Sequence, residues 1–189
     1  MKAILIPFTC AMLLACGNEA PKAQLAPLPA ASAAIPAALF VAADIPGPKP
    51  IAEIKKTAKA GDTVVIRGRV GGKETPFVDG AAVVSLVDVA TVISCGAMPP
   101  PHIRWDYCCT PEDELVASLA TLKVADASGN PLMVSLKGSH GLAEFDLLTV
   151  KGKVLSVDGQ NLIIAPEAIY DAGYDGDGKK GGTPVRPVD

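Results

Sequence analysis

The sequence is short of aromatic and histidine side chains: its 189 residues include one tryptophan, three tyrosines, four phenylalanines and two histidines. Two separated histidines, His102 and His140, give no metallopeptidase pair, and no serine, histidine and carboxylate spacing suggests nucleophilic hydrolysis. An enzyme is therefore not expected, and no cofactor is implied. Positive charge is also scarce. Between Lys49 and Asp171 twelve basic residues stand against fifteen acidic ones, which excludes general electrostatic attraction to nucleic acid or anionic lipid. The N-terminal apolar run from Ala3 to Met12 is too short to span a bilayer. Periodic sequence is confined to 49–173, enough for one domain and not for two.

What the chain does carry is a strand that repeats. In Thr63-Val64-Val65-Ile66-Arg67-Gly68-Arg69-Val70, apolar and basic residues alternate, so Val64, Ile66 and Val70 face a core while Val65, Arg67 and Arg69 face out. The pattern returns in Leu148, Val150 and Val154, with Lys151 and Lys153 outside. Gly68 and Gly152 hold matching places in the two strands, where a missing side chain permits the bulge or sharp bend that closes a small barrel. If the two strands are neighbours, Arg67, Arg69, Lys151 and Lys153 make a basic stripe, which reads as a solvated outer face.

Around these strands the other elements follow from local signals. Pro50 opens a short helix with Ile51, Ile54 and Ala58 on one face, and Gly61 ends it. Ala81–Asp88 reads as the second strand. Thr110-Pro111-Glu112-Asp113 reads as a helix start, with a threonine cap and acids in the first turn, running to about Leu119. Leu122 and Val124 belong to a third strand. Asp126–Asn130 turns the chain into Leu132–Leu136, a connector spans His140–Phe145, and the closing hairpin turns at Asp158-Gly159 into Asn161–Tyr170. The tail 174–189 reads as disordered, with too few carboxylates at the needed spacing for a calcium loop.

At the N-terminus, Met1-Lys2 supplies a positive start, an apolar stretch follows, and Leu13-Leu14-Ala15-Cys16 closes it. This tetrapeptide resembles the lipobox of bacterial lipoprotein signal peptides. The resemblance implies a signal peptide over 1–15 and acylation at Cys16, hence a palmitate-bearing chain anchored by lipid to a membrane of the bacterial envelope, on its periplasmic or surface side. The alanine- and proline-rich stretch 16–48 then reads as a tether, within which Ala37–Val41 either forms a helical turn or docks on the domain.

Three strands, a connector and a closing hairpin is the order of an OB-fold barrel. Residues 49–173 resemble bacterial OB-fold domains through Gly61-Asp62-Thr63-Val64 and Gly68-Arg69-Val70, and Trp105-Asp106-Tyr107-Cys108-Cys109 is similar to a loop of uncharacterised bacterial lipoproteins. The expected fold is mainly β: a small five- to six-stranded OB-fold-like barrel with one or two short helices. The expected function is a non-catalytic binding or structural module with a protein or oligosaccharide ligand, nucleic acid being disfavoured because Val83, Ser85 and Val87 offer no stacking aromatics.

The departure from that plan is the loop 91–110, which holds Cys95, Cys108 and Cys109 with His102, Arg104, Trp105 and Tyr107. In an oxidising compartment a disulfide from Cys95 to Cys108 or Cys109 is the expected outcome, stabilising by about 3 kcal/mol. It leaves one thiol over. The alternative is a thiol-based metal or redox protein, in which the three thiolates and the His102 imidazole suit zinc or cuprous copper, although no Cys-x-x-Cys pair is present. A strained Cys108–Cys109 disulfide is a further alternative. Arg104, Trp105 and Tyr107 are either a recognition knob or side chains that fold back to cap the barrel.

Overall fold

The computed structural model describes residues 34–92, 94–95 and 107–174. Their order is α1 (Ile51–Thr57), β1 (Thr63–Val70), β2 (Val83–Val87), α2 (Glu112–Ala117), β3 (Leu119–Lys123), β4 (Leu147–Val157) and β5 (Leu162–Asp171). The five strands close into a barrel in the order β1-β2-β3-β5-β4. All neighbours are antiparallel except β3 and β5, which run parallel at Thr121 and Leu122 against Ile163 and Ile164. This is the mainly β, OB-fold-like barrel with two short helices that the sequence pattern describes.

The repeated strands are adjacent, with Val64 opposite Gly152 and Ile66 opposite Val150. Ile66, Val70, Leu148, Val150 and Val154 are buried in one core with Val84, Leu86, Leu122, Leu162, Ile164 and Ile169, and Val64 packs against it. The two glycines act as their placement implies. At Gly152 the register between β4 and β5 shifts, and a Cβ there would lie 2.6 Å from Ile164 Cγ2 and closer still to the Ala165 carbonyl oxygen. At Gly68 a Cβ would meet Leu86 Cβ and the Val87 oxygen, both at 3.1 Å, so a bare backbone lets β2 cross close to β1 where the barrel bends.

Helix α1 plugs one end of the barrel with Ile51 and Ile54. Pro50 makes no side-chain cap. The first free N–H of the helix, Ile51 N, instead donates to Asp88 Oδ2 at 2.6 Å from the end of β2. On the other side Lys55 is buried, and its ammonium donates to Val116 O at 2.6 Å and Gln160 O at 2.7 Å. One side chain thus ties α1, α2 and the β4–β5 turn together.

Three expectations change. Thr110 does not cap α2: Pro111 occupies the cap position with no side-chain bond, and the helix ends at Ala117. Leu132–Leu136 is not a strand: pairing is limited to the bridge of Ala125 with Pro131 and to Leu132, whose N–H donates to Val124 O at 2.9 Å and whose carbonyl accepts from Ala82 N at 2.8 Å. Pro131 has no N–H to give a ladder, and Ser135 Oγ takes the Lys137 N–H into a local turn, so Leu132, Val134 and Leu136 reach the core from an irregular connector. The alanine- and proline-rich stretch is described from Ala34 onward, and there it lies on the barrel. Ile35 joins the core, Ala37–Leu39 forms a 3-10 turn, Val41 N donates to Ile169 O at 2.9 Å, and Lys49 N donates to Val65 O at 2.9 Å. Ala37–Val41 is therefore docked, and the strap covers strand edges that β2 and β3 leave open.

Candidate functional site

The chain between β2 and β3 leaves the barrel and returns at one point. Asp88 N donates to Ser118 O at 2.9 Å, and the hydroxyls of Thr91 and Ser118 share a hydrogen bond of 2.8 Å. Above this clamp Val87, Val92 and Tyr107 form a second small apolar cluster, with Leu115 and Leu119 packed on it. Gly71 and Gly72 make room for it: a Cβ at Gly72 would overlap Leu119 Cδ2, and the Tyr107 hydroxyl lies 3.7 Å from where a Gly71 Cβ would be. Among the described residues no cysteine belongs to either apolar cluster.

On this support the three cysteines of the loop converge. Cys108 Sγ lies 2.8 Å from Cys95 Sγ and 3.8 Å from Cys109 Sγ, and all three sulfurs fall within 4.8 Å of one another. Cys95 is fully buried, whereas Cys108 and Cys109 are exposed. The disulfide expected from Cys95 is not formed. A sulfur–sulfur bond requires about 2.05 Å, and Cys108 is held between two sulfurs rather than bonded to one. The adjacent Cys108 and Cys109 both approach Cys95: the turn Tyr107–Thr110, closed by Thr110 N donating to Tyr107 O at 2.8 Å, carries them there.

Charge around the sulfurs is mixed. Arg69 is half-buried, and its Nη1 donates to Phe145 O at 2.6 Å and Tyr174 O at 2.7 Å. The Tyr107 pKa is pushed up to about 12, first by burial; the Arg69 guanidinium pulls it down and the Cys95 sulfur pushes it up. Glu112, Asp113 and Glu114 occupy the first turn of α2 beyond Cys109. Beside Cys108 an open groove of about 270 Å³ is lined by Gly72, Lys73, Tyr107, Thr110, Glu112 and Leu115.

Of the residues singled out from sequence, the structure joins Cys95, Cys108 and Cys109 and buries Tyr107 under them. Cys16, His102, Arg104 and Trp105 lie outside the described residues, as does the tail from 175. The basic stripe is divided: Arg67 pairs with Asp44 at 3.1 Å, Arg69 turns to backbone carbonyls, and Lys151 and Lys153 remain exposed. Sequence reasoning missed Lys73 on the groove, since a lysine after two glycines reads as a turn, and missed the Asp88–Ser118 clamp, whose partners are thirty positions apart.

Among the described residues no helix is long and apolar enough to cross a membrane. Comparison with known proteins finds no family, no curated protein and no solved structure that matches this chain.

Proposed function

We propose that this chain is a lipid-anchored protein of the bacterial envelope whose OB-fold-like barrel presents a thiolate site for a soft metal ion, zinc or cuprous copper. The observation that carries the proposal is the convergence of three sulfurs within 4.8 Å from two separate parts of one loop. Thiolates select d10 ions of this kind, and sulfurs bound tetrahedrally at about 2.3 Å stand about 3.8 Å apart. Cys108 and Cys109 already have that separation, 3.8 Å, and Cys95 needs to retreat by about 1 Å from Cys108. His102 is the fourth donor that the sequence offers for a tetrahedral ion. The envelope anchor rests on Leu13-Leu14-Ala15-Cys16.

Metal analysis of protein purified with its thiols protected tests this. One equivalent of zinc or copper in the wild type, lost in Cys95→Ser, is the expected result. Absence of metal from the wild type, both as isolated and after incubation with either ion, overturns it.

A further inference from the structure

The site has an asymmetric build. Its deepest ligand, Cys95, is 0% exposed, while Cys108 and Cys109 face solvent and Cys108 forms part of the wall of the 270 Å³ groove. A structural metal site is closed on all sides and its loss unfolds the domain that depends on it. Here two of the three cysteines are exposed, and the barrel's apolar cluster from Ile35 to Ile169 includes no cysteine among the described residues. The smaller cluster of Val87, Val92 and Tyr107 also closes without one.

Resting on the metal reading above, we infer that the centre is a transfer site, which passes its ion through the groove to a thiolate acceptor on a short peptide segment. The acceptor sulfur approaches along the groove that Cys108 lines together with Lys73 and Glu112. A new sulfur–metal bond forms as the bond to Cys108 breaks, and the proton leaving the acceptor thiol ends on the released Cys108. A second acceptor thiol displaces Cys109 in the same way, its proton passing to Cys109, and buried Cys95 and the fourth donor leave last, water taking their places on the ion and a solvent proton going to Cys95. No electrons change hands, so no oxidant or reductant is required. The groove has the volume of a side chain with its flanking backbone rather than that of a folded surface. Lys73, exposed on its rim, favours an acceptor with negative charge beside its cysteine.

The experiment uses the full chain loaded with one equivalent of zinc and, as acceptor, a synthetic Cys-x-x-Cys peptide carrying flanking aspartates. The rate of zinc loss is followed against acceptor concentration, and far-ultraviolet circular dichroism is recorded before and after. The transfer proposal expects a rate proportional to acceptor concentration and an unchanged strand spectrum. Lys73→Glu should lower the second-order rate constant at least threefold at low ionic strength, with zinc stoichiometry kept at one. A rate independent of acceptor concentration overturns transfer, as does loss of the strand spectrum on zinc removal or an unaltered rate constant in Lys73→Glu. Each of those leaves a protein that binds zinc, so the metal reading survives. Failure to retain zinc at the outset overturns both.

Discussion

Gly152→Ala tests the barrel geometry that places the site. A methyl group there would sit 2.6 Å from Ile164 Cγ2 and closer to the Ala165 carbonyl oxygen, against the 3.5–4.0 Å of an ordinary carbon contact. Ile164 is fully buried and Ala165 O is backbone, so neither yields by a simple rotamer change. Overpacking of this kind costs about 3 kcal/mol, reduced by about 0.5 kcal/mol because alanine lowers the entropy of the unfolded chain. Gly68→Ala is the internal control. Its methyl would meet Leu86 Cβ and Val87 O at 3.1 Å, a clash that small shifts relieve, and about 1 kcal/mol is expected. Urea unfolding followed by circular dichroism reads both, and the corresponding loss in Tm for Gly152→Ala is about 10 °C. A Gly152→Ala protein no less stable than Gly68→Ala refutes the reasoning.

The remaining perturbations address the supports of the loop and the anchor. Asp88→Ala removes the acceptor for Ile51 N at 2.6 Å and for Ala90 N at 2.9 Å, and should cost about 2 kcal/mol in urea unfolding; under 0.5 kcal/mol contradicts its role as the cap of α1. Lys55→Met keeps the apolar stem but leaves Val116 O and Gln160 O without their donor, so amides of α2 should exchange faster while those of β1 and β4 do not. Burial lowers the Lys55 pKa below 10.5, so the unfolded state holds more protons in the window between the two values. The contribution of Lys55 is greatest above pH 10.5 and falls as pH drops through its depressed folded value, and the stability difference from Lys55→Met must follow that direction. Cys16→Ser should abolish incorporation of labelled palmitate in a bacterial host; equal labelling of wild type and variant removes the anchor from the account.

The barrel was legible because its signal is periodic. Val64, Ile66 and Val70 match Leu148, Val150 and Val154 in burial as in sequence, and the two glycines mark the places where another backbone comes near. Leu132, Val134 and Leu136 alternate just as well, yet backbone pairing ends at Leu132 and Ser135 takes the chain into a local turn, so alternation reported burial correctly and strand geometry incorrectly. Docking of the strap at 34–49 was legible only at Ala37–Val41, read as a helical turn or a docked segment; elsewhere alanine and proline suggest a coil, and the second bridge involves backbone atoms of Lys49. The cap of α1 was illegible for a different reason, since Asp88 supplies it from thirty-seven positions away. For the site, sequence identified the cysteines but offered no Cys-x-x-Cys pair to suggest a shared ligand. The turn that starts at buried Tyr107 brings Cys108 and Cys109 together with Cys95, and no local propensity announced it.

X-ray absorption at the metal edge of the loaded protein reads the thiolate centre itself, because it counts sulfurs around the ion without reference to any variant. The expected first shell is dominated by sulfur, three atoms at about 2.3 Å, for zinc or cuprous copper. A shell made of oxygen and nitrogen alone, or one with a single sulfur, contradicts a centre built from Cys95, Cys108 and Cys109.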